Sequence, residues 1–374
     1  MNIHRVLMTG DTVGGVWTFT LELAESLTER GIEVLLVSFG GPASDAQRAE
    51  AAAIPGLRLL DSAFRLEWMQ EPWADIDASG KWLLEVEEDY RPDVVHLNTF
   101  GHGGLPWSAP LVVTAHSCVL SWWQAVKGEA APESWNRYRQ LVARSLNAAD
   151  LVTTPSGAMA SAICAHYGLP KQACRVLPNG RNVAKFQPLA KEPFVFTAGR
   201  LWDEAKNVQA VARIASNLSW PVYLAGDTNG YATSSNAACA GGCNMLGKLP
   251  ASDIAAWYGR ASVYAMPAHY EPFGLSILEA ALSACALVVG DLPSLREIWG
   301  DTAFYVAPGN PQALERTLQR LIDDPALRSE AARRSYARAL SFNSSRMSRA
   351  YLGAYHDASM SQSFARSRSS VCVL

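Results

Sequence analysis

Long apolar runs are missing from this chain. No segment approaches the roughly 18 uninterrupted apolar residues that a membrane-crossing helix needs, so a spanning segment is not expected. A surplus of positive charge is missing too. Lys and Arg number 32 against 35 Asp and Glu, for a formal net charge of −3, which offers no basic face for a nucleic acid. A disulfide framework is equally absent, because the seven cysteines, at 118, 164, 174, 239, 243, 285 and 372, are odd in number and widely spaced. They read as reduced thiols, the pattern of a cytoplasmic protein. Cys239-Ala-Gly-Gly-Cys243 is the only close pair, and without a second pair or a nearby histidine it reads as a small-residue loop rather than a metal site. The N-terminal stretch Met-Asn-Ile-His-Arg-Val-Leu-Met has too short an apolar run for a signal peptide, and Cys372 lies one place off the prenylation pattern. The expectation is a protein with no membrane association.

What is present suits two α/β domains, and 374 residues suffice for two cores. Arg5–Thr9 is a short apolar run, Val16–Arg30 shows helical spacing, and Val34–Phe39 is the next run, which together make a βαβ opening. Its turn is Gly10-Asp-Thr-Val-Gly14-Gly15. These glycines let a ligand approach a helix start, but they do not form the G-x-G-x-x-G pattern of dinucleotide sites, and a turn that merely needs glycine is an equal alternative. Asp93–Leu97 and Leu111–Ala115 read as buried parallel strands, whose ends border a ligand crevice. His116 stands at such an end and is either a structural histidine or a ligand contact.

Eight of the twelve tryptophans lie in the first half, among them Trp122 and Trp123, whose flat faces are the candidates for stacking on a sugar or aromatic acceptor; packing explains the others. Gln187–Pro193, with two prolines, reads as the linker. The expected division is a first domain over 1–186 and a second over 187–343. A final helix follows over 344–356, then a disordered, Ser- and Arg-bearing tail over 357–374.

The second domain opens with the run Phe194–Ala198, then Gly199-Arg200, with Lys206 six residues on. Two fixed cations beside a helix start can neutralise a diphosphate, although Arg and Lys on a loop are ordinarily just solvated. The most informative stretch is His269–Gly290. Leu275, Ile277, Leu278, Ala281 and Leu282 make it apolar on nearly every side, so as a helix it is buried. Glu279 sits in its middle and needs a polar partner there. Glu271 precedes Pro272, which suits a first helical position and would place the two carboxylates about 12 Å apart along the axis. Between them the backbone N–H groups near Phe273, Gly274, Leu275 and Ser276 would form an anion site at the helix start. Carboxylate, anion site, carboxylate matches a nucleoside diphosphate sugar; the alternative is an exposed Glu271 and a satisfied core Glu279.

Glu271-Pro-Phe-Gly-Leu-Ser-Ile-Leu-Glu279-Ala resembles the Glu-x7-Glu signature of retaining glycosyltransferases of family 4, which implies the GT-B fold of two Rossmann-like domains facing a central cleft, with a C-terminal helix crossing back to the first. The resemblance implies roles by position: Gly14 and Gly15 face donor sugar and acceptor, and His116 contacts the sugar or its diphosphate. Arg200 and Lys206 hold the leaving diphosphate, Glu271 orients sugar hydroxyls, and Glu279 takes the ribose. Lys248 and Leu249 lie against the base. Two departures stand out. Asn207 replaces the family's glycine after the lysine, with one extra residue of spacing, and Arg181-Asn182 replaces the usual Val-Asp after Asn179-Gly180.

The reading is a retaining, metal-independent hexosyl transfer from a nucleotide diphosphate sugar, without a cofactor, since no Asp-x-Asp metal motif falls at a useful place. Glu67, Glu71, Asp75, Glu85, Glu87, Glu88 and Asp89 make the first domain locally acidic, which favours a soluble or polysaccharide acceptor over a lipid. The rivals are a nucleotide-sugar epimerase or sugar phosphorylase on the same fold, and a nonenzymatic nucleotide-sugar-binding module.

Overall fold

The computed structural model describes residues 3–227 and 242–371, with side chains through Gln362. Cys239, half of the close cysteine pair, and Cys372 lie outside the described residues. The described cysteines, at 118, 164, 174, 243 and 285, are free thiols. Among the described residues no helix is long and apolar enough to cross a membrane.

The chain divides into two compact units, each built on an all-parallel sheet. The first holds residues up to Ser121, Ala130–Pro178, and the chain from Ser344 on; the second holds Trp122–Glu129 and Asn179–Asn343. In the first unit the strands are β1 (Arg5–Asp11), β2 (Glu33–Phe39), β3 (Leu57–Leu60), β4 (Val94–Leu97), β5 (Leu111–Thr114), β6 (Leu151–Thr154) and β7 (Cys174–Val176), in the order β3-β2-β1-β4-β5-β6-β7. In the second they are β8 (Glu192–Ala198), β9 (Val222–Ala225), β10 (Cys243–Gly247), β11 (Ala261–Met266), β12 (Ala286–Gly290) and β13 (Phe304–Val306), in the order β10-β9-β8-β11-β12-β13. Every residue of β4, β5, β11 and β12 is buried, because helices cover both faces of a parallel sheet. Each order reverses once, between β1 and β4 and between β8 and β11. Ligands of such sheets bind at that reversal, beyond the carboxyl ends of the strands.

The unit boundary differs from the sequence reading. Gln187–Pro193 is not a free linker, since β8 begins at Glu192, and the chain changes units at Pro178 and Asn179 instead. The last helix also runs past 356, from Ser344 to Val371, so the expected tail is helical well beyond that point. Packing explains the extension: Ala358 and Ser359 are buried, and Asp357 pairs with Arg175 at 2.7 Å. Upstream, Tyr351 and Tyr355 are fully buried against the first sheet, where the Tyr355 hydroxyl meets His96 Nδ1 at 2.9 Å and the Tyr351 hydroxyl meets Thr114 Oγ1 at 3.3 Å. Ser348 meets Ser26 at 2.8 Å.

Two of the seven carboxylates counted as an acidic face are internal. Glu87 is buried and accepts the Ser108 and Ala109 N–H groups, each at 2.8 Å. Glu67 is buried and accepts the Phe100 N–H at 2.9 Å; its burial pushes the carboxyl pKa up. The acidity that argued against a lipid acceptor is therefore smaller than the sequence suggests.

Candidate active site

In the second unit the site grows from the reversal between β8 and β11. β8 ends at Ala198, and Gly199 delivers Arg200 beyond the strand end. Asp203 is the hub of the loop that follows. One carboxylate oxygen accepts from Arg200 Nη2 at 2.7 Å, while the other accepts the Ala205 N–H at 3.0 Å and the Trp122 indole N–H at 3.2 Å. Burial pushes the Asp203 carboxyl up, but the charges of Arg200 and Lys206, with the hydrogen bonds from Arg200 and Trp122, outweigh it and hold it below the usual carboxylate range. Among the described residues, Arg200 Nε is a buried donor with no partner.

A single turn then carries the chain through Lys206 to Asn207, whose left-handed backbone (φ 52°, ψ 34°) is where the family has glycine. Asn tolerates that conformation better than most residues. Here its side-chain amide also donates to Pro267 O at 2.8 Å and Pro308 O at 2.9 Å. The loop is stitched to the segment after β11 by the His269 N–H donating to Ala205 O at 2.8 Å. These bonds set Lys206 Nζ against Glu271 Oε2 at 2.5 Å, with side chains 17% and 10% exposed. The Glu271 carbonyl is fixed in turn by Ser294 Oγ at 2.5 Å. Arg200, Lys206 and Glu271 thus join one network through Asp203, and Lys206 and Glu271 hold each other directly.

The helix after Glu271 begins at Leu275 and ends at Leu282, so Glu271 and Pro272 precede it and Pro272 is not its first residue. Gly274 caps it with φ 90°, and a Cβ there would lie 2.7 Å from Ile277 Cδ1 and 3.3 Å from Glu271 Cγ, so glycine is required. Only four residues of helical rise, about 6 Å, separate Leu275 from Glu279; the expected spacing of both carboxylates along one axis does not hold. The main-chain N–H groups of Leu275 and Ser276 are in the orphan first turn. Phe273, expected beside the anion, turns its side chain into the core against Phe342, and only its main chain remains for a ligand. Ile277, Leu278, Ala280, Ala281 and Leu282 are fully buried.

Glu279 does have a polar partner. Arg181 Nε lies 3.1 Å from its Oε1, both side chains being nearly buried, and the guanidinium packs over Phe186 at 5.0 Å. Arg181 is the residue that departs from the family pattern. Leu249 packs on the core and Lys248 is exposed.

Trp122 belongs with the second unit, where its N–H donates to Asp203 and Lys127 lies over its ring at 5.7 Å, so it braces the Arg200 loop. Trp123 packs edge-on to it at 6.0 Å.

In the first unit, Gly14 caps the helix Gly15–Thr28 at the end of β1, and Gly15 is exposed. His116 follows β5, where its Nε2 meets Asn98 Oδ1 at 2.8 Å and Phe19 packs against it at 4.4 Å. Burial pushes its pKa down to about 3. His96 and His102, taken as ordinary, are buried structural histidines, the second bonded to Ser79 at 2.8 Å. Sequence reading missed Asp203, Ser294, Asn98 and Arg181; only Asp203, three residues from each of Arg200 and Lys206, carried a local signal. Among the described residues no cluster of three or more His, Cys, Asp or Glu is arranged to hold a metal ion.

The chain is similar to known proteins. Residues 13–185 match Glycosyltransferase Family 4, and residues 192–324 match Glycosyl transferases group 1. The glycogen synthase of Mycobacterium tuberculosis is 28% identical over 67% of this chain, which spans 65% of that relative's length. A D-inositol 3-phosphate glycosyltransferase of Streptomyces avermitilis is also 28% identical, over 87% of this chain and 79% of its own. Among solved structures, sucrose-phosphate synthase from Thermosynechococcus elongatus aligns with a TM-score of 0.79 and 18% identity, over 97% of this chain and 100% of that one. Anabaena HepE in complex with UDP and glucose aligns with a TM-score of 0.74 and 17% identity, over 94% and 99%. With residues 13–185 and 192–324 matched to these two glycosyltransferase models and a parallel sheet in each unit, the chain belongs to the group 1, family 4 glycosyltransferases and has the GT-B fold.

Proposed function

We propose that this enzyme moves a sugar from a nucleotide diphosphate donor to a soluble or polysaccharide acceptor with retention of configuration, without a metal ion, in the cytoplasm. The observation that carries the reading is the network of Arg200, Asp203, Lys206 and Glu271 beside the Gly274-capped helix start. Cations and unpaired main-chain donors gathered at one sheet reversal stabilise the negative charge that grows as a diphosphate departs. Lys206 has three donors and spends one on Glu271, which leaves two for phosphate oxygens. Glu271, held in place by Lys206 and Ser294, accepts from sugar hydroxyls through its remaining lone pairs, and Glu279, steadied by Arg181, accepts from the ribose.

A uridine nucleotide is the first donor to test, because HepE is described in complex with UDP and with UDP-glucose. The experiment is a thermal-shift screen of uridine, guanosine and adenosine diphosphate sugars, followed by nucleoside diphosphate release with and without candidate acceptors. A ligand at 100 times its Kd stabilises by about 2.7 kcal/mol, a shift of several degrees for domains of this size. Donor consumed equally fast without acceptor, or a product of inverted configuration, refutes the reading.

A further inference from the structure

The strands β1, β4 and β5 lie side by side, and three residues near or just past their carboxyl ends, Thr9, Asn98 and His116, form a directed chain of hydrogen bonds. Asn98, just past β4 and buried, donates its main-chain N–H to Thr9 Oγ1 at 2.9 Å and its side-chain Nδ2 to Thr9 O at 2.7 Å. Thr9 O is a carbonyl and can only accept, so the amide is oriented without ambiguity, with Oδ1 turned the other way. That oxygen faces His116 Nε2 at 2.8 Å. An amide oxygen also only accepts, so Nε2 must carry the proton.

We propose that Asn98 is the positioning residue of His116: aimed by its own two bonds to Thr9, it fixes the Nε2–H tautomer and leaves Nδ1 as a hydrogen-bond acceptor and nothing else. Phe19 restricts the ring from the side, its centroid 4.4 Å away at an interplanar angle of 65°. Among the described residues no hydrogen bond occupies Nδ1. Burial supports the assignment, because a ring with a pKa near 3 carries a single proton at neutral pH, and Nε2 has it. The neighbouring ionisable groups do not change this: His96 on β4 is itself pushed down to about 3 and is neutral, and Tyr351 of the last helix is pushed up to about 12.

The inference rests on the donor-site reading above and narrows it. His116 has two candidate partners there, a sugar hydroxyl, which can donate, and an ionised phosphate oxygen, which can only accept. A bare Nδ1 serves the first and repels the second. Asn98 thereby decides which part of the donor this histidine serves, and it excludes the ring as a proton donor to the departing oxygen.

The test is a long-range 15N–1H correlation spectrum of the enzyme labelled on histidine nitrogen, with His116→Gln to assign the ring. The wild type is expected to show Nε2 protonated and Nδ1 bare near pH 7, and Asn98→Ala to move the ring toward a mixture of tautomers. Release of uridine diphosphate from UDP-glucose by Asn98→Ala is expected to fall about tenfold in kcat/KM. A wild-type ring protonated on Nδ1, or a tautomer unchanged in Asn98→Ala, overturns the proposal; if that variant does not fold, the wild-type spectrum alone decides. Full turnover by His116→Phe would instead count against the donor-site reading, with the Asn98 assignment read separately from the spectrum.

Discussion

Removing the Glu271 carboxylate is expected to cost folding as well as catalysis, and the two can be separated. Lys206 Nζ and Glu271 Oε2 lie 2.5 Å apart with 17% and 10% of their side chains exposed, so neither charge has much water to fall back on. Deleting one partner of a buried pair typically costs about 3–5 kcal/mol, because the other charge is stranded. Residual exposure lowers that to roughly 2–3 kcal/mol for Glu271→Leu or Lys206→Met alone, a fall of about 5–10 °C in the melting of a unit this size. The double replacement Lys206→Met with Glu271→Leu removes both charges and is expected to regain most of that loss, as apolar substitutes for buried pairs do. Its donor turnover should nevertheless stay at background. Calorimetry of the four proteins, with nucleotide release measured on each, gives both readouts. Stability losses that simply add in the double variant would refute the pair, and turnover near wild type in the double variant would refute the site.

Arg181→Met removes a charged partner of Glu279 from a nearly buried pair, and a loss of about 1–2 kcal/mol with a raised KM for donor is expected; chemical denaturation and steady-state kinetics check both. Asn207→Gly keeps the left-handed turn but loses the bonds to Pro267 and Pro308, for a cost of about 1–2 kcal/mol, whereas Asn207→Val adds backbone strain and should cost more. In the first unit His96, His102 and His116 have folded pKa values lowered by burial to about 3, 4 and 3, while an unfolded chain takes each proton near pH 6.5. Protonation therefore favours unfolding. Stability contributed by the neutral rings is fully present above about pH 6.5 and falls toward pH 4 by about 1.4 kcal/mol per pH unit for each histidine. Denaturant midpoints measured across that range should show the slope, and His96→Gln should reduce it by one histidine's share.

The parallel strands were legible because a sheet covered on both faces writes itself as an apolar run, as in Leu111–Thr114 and Ala286–Gly290. The buried helix was legible for the same reason. Its start was not, because Gly274 takes a left-handed turn three residues after Glu271 and delays the helix to Leu275. Asn207 shows how a conformational requirement can be met by a residue other than glycine when its amide finds two carbonyls far along the chain. Asn98, and the pairing of Arg181 with Glu279, were invisible for a simpler reason: the partners are 18 and 98 residues apart, and no local pattern names a long-range partner.

The return of Ser344–Val371 to the first sheet has a consequence for biosynthesis. Phe19 and His96 are covered by Tyr351 and Tyr355, which leave the ribosome only after all of Asn179–Asn343 has been made. At roughly 5–20 residues per second that interval is on the order of ten to thirty seconds, during which the opening strands wait with an apolar flank uncovered. A nascent chain stalled before Tyr351 should accordingly be a chaperone client, and release of that client should coincide with the arrival of the last two turns of tyrosine.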